Sequence, residues 1–257
     1  MYNMDNIKIV PEYAKSKKEI WEEKFKHLEQ PKREKSFFKK IPLWAYAAGF
    51  LILVLLVCNG YTVTLETAKG EHKELKLPDR SIITMNAESK ISYKPCKWFF
   101  SRIVTLEGEA CFDVKRGDRF LVKTGSNRVT VLGTTFNIYA RAGLYSVTCM
   151  EGRVEVIAEN ESIVLTSNMQ ATMRISKFGI KSGMASSDAT GWMQGRFVFD
   201  ETPLQEVIAE VERQFNINVN PKTYPNNLYT GNFFKNQKPE EILEIIGLPF
   251  GINFSIE

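Results

Sequence analysis

Between residues 41 and 58 the chain carries no charged side chain, while elsewhere polar and apolar positions alternate or recur at helical spacing. This run predicts one continuous apolar helix. At 1.5 Å per residue it would extend about 27 Å, close to the roughly 30 Å of hydrocarbon in a bilayer. It starts about forty residues into the chain, deeper than the apolar core of a signal peptide, and no small-residue cleavage site follows it. Trp44 and Tyr46 stand at one end of it, as interfacial aromatics do. The run is therefore read as a transmembrane helix over 41–58.

Ahead of it, "SKKEIWEEKFKHLEQ" at 16–30 predicts a short helix. Ser16 and Glu19 have capping-box spacing, and Pro31 signals a stop. Trp21, Phe25 and Leu28 fall on one face. One such helix has nothing of its own to bury this stripe against. It suits a partner's groove, or alternatively the surface of an anionic leaflet.

From about residue 65 to 181 the period changes to two. Ala110, Phe112 and Val114 share one face of a strand, with Cys111, Asp113 and Lys115 on the other. Phe120/Val122, Val129/Val131, Phe136/Ile138, Val147/Cys149 and Val154/Val156 repeat the pattern, with turn tripeptides at 116–118, 125–127 and 151–153. Short strands at this spacing predict an all-β domain over 59–181, a sandwich, barrel or solenoid. The small polar stretch 182–191 reads as a linker.

Residues 192–257 then predict a small α+β domain of order βαββαβ. A strand at 196–200 leads to a helix with Thr202 as N-cap, Pro203 at its first position and Gln205 completing a capping box. Its core stripe is Leu204, Val207, Ile208, Val211 and Phe215. Strands at 217–220 and 228–234, a helix opened by Pro239 and a closing strand in "INFSIE" complete the order.

Charge sharpens the topology. The net charge of the 257 residues is +4, and residues 1–40 already account for it with 11 Lys/Arg against 7 Asp/Glu. Seven basic residues, from Lys24 to Lys40, crowd the N-terminal flank of the apolar run. Only Lys69, Lys73 and Lys76 follow at a similar distance. The positive-inside rule then predicts a single-pass membrane protein, with residues 1–40 cytoplasmic and 59–257 on the far side of the membrane. The far region is electrically balanced, which excludes direct nucleic-acid binding through a basic face.

Catalytic chemistry is sparse. His27 falls on the cytoplasmic side, and His72 sits in the charged run "KGEHKELK" and reads as solvated. Glu107 and Glu109 share a strand face and are also read as solvated. No metal-ligand spacing, phosphate loop or cofactor motif is present, so neither enzyme nor cofactor is expected. Cys58, Cys96, Cys111 and Cys149 have no C-x-x-C spacing and read as isolated thiols.

Five motifs carry a resemblance. "LKLPDRSIITMNAESKISY", "RIVTLEGEACFDV", "FLVKT", "VTVLGTTFNIYA" and "VTCMEGRVEV", in this order over roughly residues 70–175, resemble the FecR family of transmembrane sigma-factor regulators. The C-terminal region is similar to the small signalling-type domain of Bacteroidetes members, which is related to domains of secretins and TonB-dependent transporters. Two departures stand out. Arg80 occupies the usual glycine of an Asp-Gly-Ser turn, so that turn is expected to differ. Cys111 replaces an aromatic residue.

The resemblance implies an anti-sigma, or sigma-activating, regulator. An extracytoplasmic-function sigma factor would bind the cytoplasmic segment through Trp21, Phe25 and Leu28. The signalling domain of an outer-membrane TonB-dependent transporter would bind within 192–257, membrane proteases would release the signal, and nutrient-uptake genes would respond. It also makes Gly133-Thr134 a candidate self-cleavage bond, since some relatives are thought to cut at the corresponding Gly-Thr. The other reading is a bulge or tight bend at Gly133, with Thr134 turned outward. The alternative function is a tethered adhesion module that recognises a glycan or protein through an exposed Trp98-Phe99-Phe100 platform.

Overall fold

A computed structural model describes residues 15–26, 42–141, 144–158, 161–174, 177–182 and 186–257. The chain divides into two units, Met1–Val54 and Leu55–Glu257.

In the first unit, helix α1 (Lys17–Phe25) begins with the expected capping box. The Glu19 amide donates to Ser16 Oγ at 3.3 Å and the Ser16 amide to Glu19 Oε2 at 2.8 Å. The helix's described residues run to Phe25, and none of them is buried. Leu28 and Pro31 lie outside the described residues. Helix α2 (Leu43–Gly60) begins in this unit and is apolar and long enough to cross a bilayer by length and composition, and most of its described side chains are exposed.

The second unit begins with a β-rich region. Its strands are β1 (Val63–Glu66), β2 (Lys73–Lys76), β3 (Ile82–Met85), β4 (Lys90–Tyr93), β5 (Arg102–Asp113), β6 (Phe120–Thr124), β7 (Asn127–Val131), β8 (Thr135–Arg141), β9 (Leu144–Glu151), β10 (Arg153–Ala158), β11 (Glu161–Thr166), β12 (Met169–Arg174) and β13 (Lys177–Ser182). All thirteen join one sheet of half-barrel form, with the path β11-β10-β7-β6-β5-β8-β9-β12-β13.

The long strand β5 organises this sheet. Its first half pairs with β4 and, in parallel, with β6. Its second half pairs with β3 and β8. The change falls at Gly108, where φ is +99° and a Cβ would stand 2.6 Å from Ser89 Oγ. Only glycine fits such a bend. At the far ends of β5 the chain closes on itself. Arg102 at its start donates to Asp79 Oδ2 at 2.9 Å and to the Lys115 carbonyl, just past its end, at 3.1 Å. The two halves of the sheet thus enclose one core, in the manner of a sandwich hinged on a shared strand. Phe112, Phe120, Phe136, Ile138, Val147, Val154 and Val156 all lie in this core with no exposed surface. The alternating positions fill it as the period of two requires.

At the Asp79-Arg80-Ser81 turn the arginine takes the place in which the resemblance expects glycine. Arg80 takes φ +68°, the left-handed region that favours glycine, and the turn is closed by hydrogen bonds. The Leu77 amide donates to the Ser81 carbonyl at 2.9 Å, and the Ser81 amide donates to Asp79 Oδ1 at 3.0 Å. The Asp79 carboxylate, fixed by Ser81 and Arg102, imposes the conformation on arginine.

The rest of the unit follows the predicted order. Within 182–191, α3 (Ser186–Ala189) forms a single turn. A 3-10 turn, Gly191–Gln194, then buries Trp192. Next come β14 (Arg196–Pro203), α4 (Leu204–Phe215), β15 (Val219–Asn220), β16 (Leu228–Phe234), α5 (Pro239–Gly247) and β17 (Ser255–Ile256). β14 pairs with β16 and β15 with β17, in two separate ladders. Thr202 does not cap α4. It pairs with Tyr229 in the β14–β16 ladder, which runs on to Pro203, so strand pairing displaces the capping box and the helix starts at Leu204. Leu204, Val207, Ile208 and Val211 pack with Phe197, Phe233, Ile242 and Ile246, and Cys111 of β5 joins this second core.

Candidate functional site

The cytoplasmic candidates Trp21 and Phe25 lie one turn apart on α1, their ring centroids 4.7 Å apart, and both remain exposed. They form a short aromatic stripe.

The aromatic platform does not form as a unit. Trp98 is buried against Tyr93 and Phe120, while Phe99 and Phe100 are exposed. At the Gly133-Thr134 bond, Thr134 is not turned outward. It is buried, and its hydroxyl donates to the Arg153 carbonyl at 2.9 Å. Its backbone exchanges two hydrogen bonds with Val114. Gly133 is required by close approach, since a Cβ there would meet the Arg116 Cα at 2.6 Å.

The densest chemistry lies where α4 meets the β-rich region. Asn86, just after β3, is fully buried and divides its side chain between the two sides. Its amide nitrogen donates to Glu109 Oε2 at 2.7 Å. Its oxygen accepts from the Ala87 amide and from Gln214 Nε2 of α4, each at 2.7 Å. Gln214 Nε2 also donates to Glu210 Oε1 at 2.8 Å. Asn137 of β8 donates to Glu109 Oε1 at 2.9 Å. Arg213 donates to Glu88 Oε2 at 3.2 Å and pairs with Glu210. Arg141 holds the turn at 87–88 by donating to the carbonyls of Ala87 and Glu88. Lys235 donates to the Gln214 carbonyl.

Glu109 is the electrostatic centre of this seam. The sequence placed it on a solvated face with Glu107, but the bend at Gly108 breaks the alternation and turns it inward, 6% exposed. Ser89 fixes the bend by accepting from the Glu109 amide and donating to its carbonyl, each at 3.0 Å. Burial, reinforced by the charge of Glu210, pushes its carboxyl up to about 7. In its protonated form it needs an acceptor. Asn137 Oδ1 is buried and has no hydrogen-bond partner, and rotating that amide would present it to Glu109.

His72 remains exposed over part of its surface but is not simply solvated. Its Nε2 lies 3.2 Å from Gln214 Oε1, and its ring meets Trp192 edge-on at 5.2 Å. Burial of the ring lowers its pKa.

Beside the seam a cavity of about 680 Å³ opens between the outer face of β8, β9 and β12 and the β14–α4 segment. Tyr139, Ser146, Thr148, Gln170, Phe199 and Glu206 are among its lining. Burial raises the Tyr139 and Glu206 pKa values. Burial likewise pushes the Cys111 thiol up to about 12 and Cys149 to about 11, which keeps both unreactive. No group of three metal-ligating side chains occurs among the described residues. The seam is an apparatus for joining two halves through buried polar bonds.

Two family models match the chain: FecR protein over residues 63–155, which spans β1 to β10, and the FecR C-terminal region over 196–257, which spans β14 to the end. Two crystal structures of a proposed anti-sigma factor from Parabacteroides distasonis ATCC 8503, at 2.50 and 1.65 Å resolution, share the fold. They are 30% identical to this chain, with TM-scores of 0.70 and 0.69. The alignments cover 77% and 76% of this chain and 95% of each neighbour. The chain belongs to the FecR family. No curated protein matches it significantly. The seam therefore joins the two FecR segments, and Asn86, Glu109, Glu210 and Gln214 are its principal bonds. Sequence reasoning passed over all four as seam residues.

Proposed function

We propose that this FecR-family chain is a membrane-anchored anti-sigma regulator that relays an extracellular signal to an extracytoplasmic-function sigma factor. The observation that carries the reading is the pair of FecR segments, similar over their joint length to a proposed anti-sigma factor, placed directly after an apolar helix of spanning length. In this reading α2 crosses the inner membrane, with residues 1–40 in the cytoplasm and 59–257 in the periplasm. Trp21, Phe25 and Leu28 contact the sigma factor, with either an inhibitory or an activating outcome.

At the other end, residues 192–257 receive the signalling domain of a TonB-dependent transporter, as in Bacteroidetes systems. Strand addition at β14 or β16 is one way to do so, since each pairs with a single neighbour. The polar seam then gives the relay its movable joint. Buried hydrogen bonds hold it, and their net contribution is small enough for a partner to replace. Membrane proteases complete the relay by cutting within or near α2.

The test is copurification. The full chain, extracted in detergent and affinity-purified, is expected to carry a sigma factor identified by mass spectrometry. A preparation free of any sigma factor, although the cell expresses them, contradicts the proposal.

A further inference from the structure

The end of the β-rich region nearest α2 is defined by strand register. Val63 pairs with Tyr93 and Tyr93 with Val104. In the neighbouring ladders Arg102 pairs with Phe120, and Phe120 with Val131. The segments that leave this row all emerge from one end of the sheet. They are the link 61–62 from α2, the turn 94–101, the loop closed by Arg119, and Leu132. The Lys94 ammonium donates to the Asn59 carbonyl in the last turn of α2 at 3.0 Å, which ties the turn to the helix end.

That turn presents two side chains that no described residue covers. Phe99 is 97% exposed and Phe100 91% exposed, while Trp98 between them and the core is 6% exposed. The presentation is fixed. Trp98 is wedged edge-on against Tyr93 at 5.5 Å and Phe120 at 5.9 Å. The amides of Phe100 and Ser101 both donate to the Lys97 carbonyl at 2.9 Å. Leu132, 62% exposed, adds an apolar side chain from the same end. Segments at the same end of the sheet carry exposed Lys97, Arg116 and Arg119, and exposed Asp118. Adjacent exposed phenylalanines at an end of the sheet that also carries exposed basic residues fit the boundary between anionic headgroups and acyl chains, where aromatic rings are favoured and basic side chains reach phosphate.

We propose that the Phe99–Phe100 turn inserts into the phospholipid surface beside α2 and fixes the orientation of the FecR region on the membrane. This rests on α2 being a span. A surface-seated turn would couple a shift of the C-terminal segment to α2 rather than letting the outer region tumble on the link at 61–62.

The full chain, reconstituted in phosphatidylethanolamine/phosphatidylglycerol vesicles, tests this with the photo-crosslinker benzoylphenylalanine placed singly at Phe99, Phe100, Leu53 and Ser126. Leu53 lies within α2, and Ser126 in the β6–β7 turn at the opposite end of the sheet. Phospholipid adducts at 53, 99 and 100 but not at 126 are expected by intact mass spectrometry. Adducts at 53 without any at 99 or 100 overturn the insertion and leave the span intact. Dimeric adducts at 99 or 100 in place of lipid overturn it in favour of a second copy of the chain. No lipid adduct at 53 overturns the span and this inference together.

Discussion

The side chains of Asn86 and Gln214, 128 residues apart, meet at 2.7 Å with no solvent reaching either one. This bond joins the two FecR segments. Asn86→Ala removes the partner of Glu109 Oε2 and of Gln214 at once, and is expected to cost about 2–3 kcal/mol, the scale of leaving buried polar groups unpaired. Gln214→Ala leaves Asn86 Oδ1 bonded to the Ala87 amide and should cost less, about 1–2 kcal/mol. A double-mutant cycle read by urea unfolding of the full chain is expected to give a coupling of about 1 kcal/mol. Additive single effects would mean that the bond does not form.

The raised pKa of Glu109 gives the seam a pH dependence of definite sign. Its folded value, about 7, lies above the ordinary 4.5, so the folded chain binds the proton more tightly than the unfolded one. Stability then falls as pH rises from about 4.5 to about 7, the interval in which the folded chain holds a proton that the unfolded chain has lost, and levels off above it. Arg141 partly offsets the carboxylate charge. His72 works in the opposite sense, because its lowered pKa costs stability only as pH falls below about 6.5. Between about pH 6.5 and 8 Glu109 dominates this cluster. Unfolding midpoints should decline and then level off over this range in the native chain and stay level throughout in Glu109→Gln, measured relative to each protein at pH 6.5. Parallel pH profiles would contradict the assignment.

Two substitutions in the backbone turns should act in opposite directions. Gly108→Ala places a Cβ 2.6 Å from Ser89 Oγ at φ +99°. It should destabilise the chain by about 3 kcal/mol or more, through strain and loss of the Ser89–Glu109 bonds. Arg80→Gly relieves a left-handed arginine at φ +68° and should stabilise by about 1 kcal/mol. Thermal melts of both variants check the pair.

Thr134 is committed to the Arg153 carbonyl, so its hydroxyl must leave that bond before it could attack the Gly133 carbonyl. A chain tagged at both ends is therefore expected to migrate intact. Thr134→Ala should match it in size and lose about 1–2 kcal/mol of stability. A fragment ending at Gly133 in the native chain and absent in Thr134→Ala would establish self-cleavage.

The core positions were legible because they obey simple periods. Phe112, Phe120, Phe136, Val147 and Val156 alternate, and Leu204, Val207, Ile208 and Val211 recur at helical spacing. The seam was not. Glu210, Arg213 and Gln214 occupy the polar side of α4, which hydrophobic patterning assigns to water, yet a second surface covers them. Glu109 was misplaced because one positive φ at Gly108 reverses the side to which a strand residue points. Thr202 has the composition of a cap, but the β14–β16 ladder competes for it. Each miss arises from a long-range partner that local patterning does not contain.

The regulator reading is tested most directly at α1. Purified extracytoplasmic-function sigma factor that copurifies with the chain should be titrated against the full chain in nanodiscs, native and with Trp21→Ala and Phe25→Ala combined. The account predicts tight binding to the native chain and a loss of roughly tenfold or more on removing the two aromatic anchors. Equal affinity for both chains would contradict it.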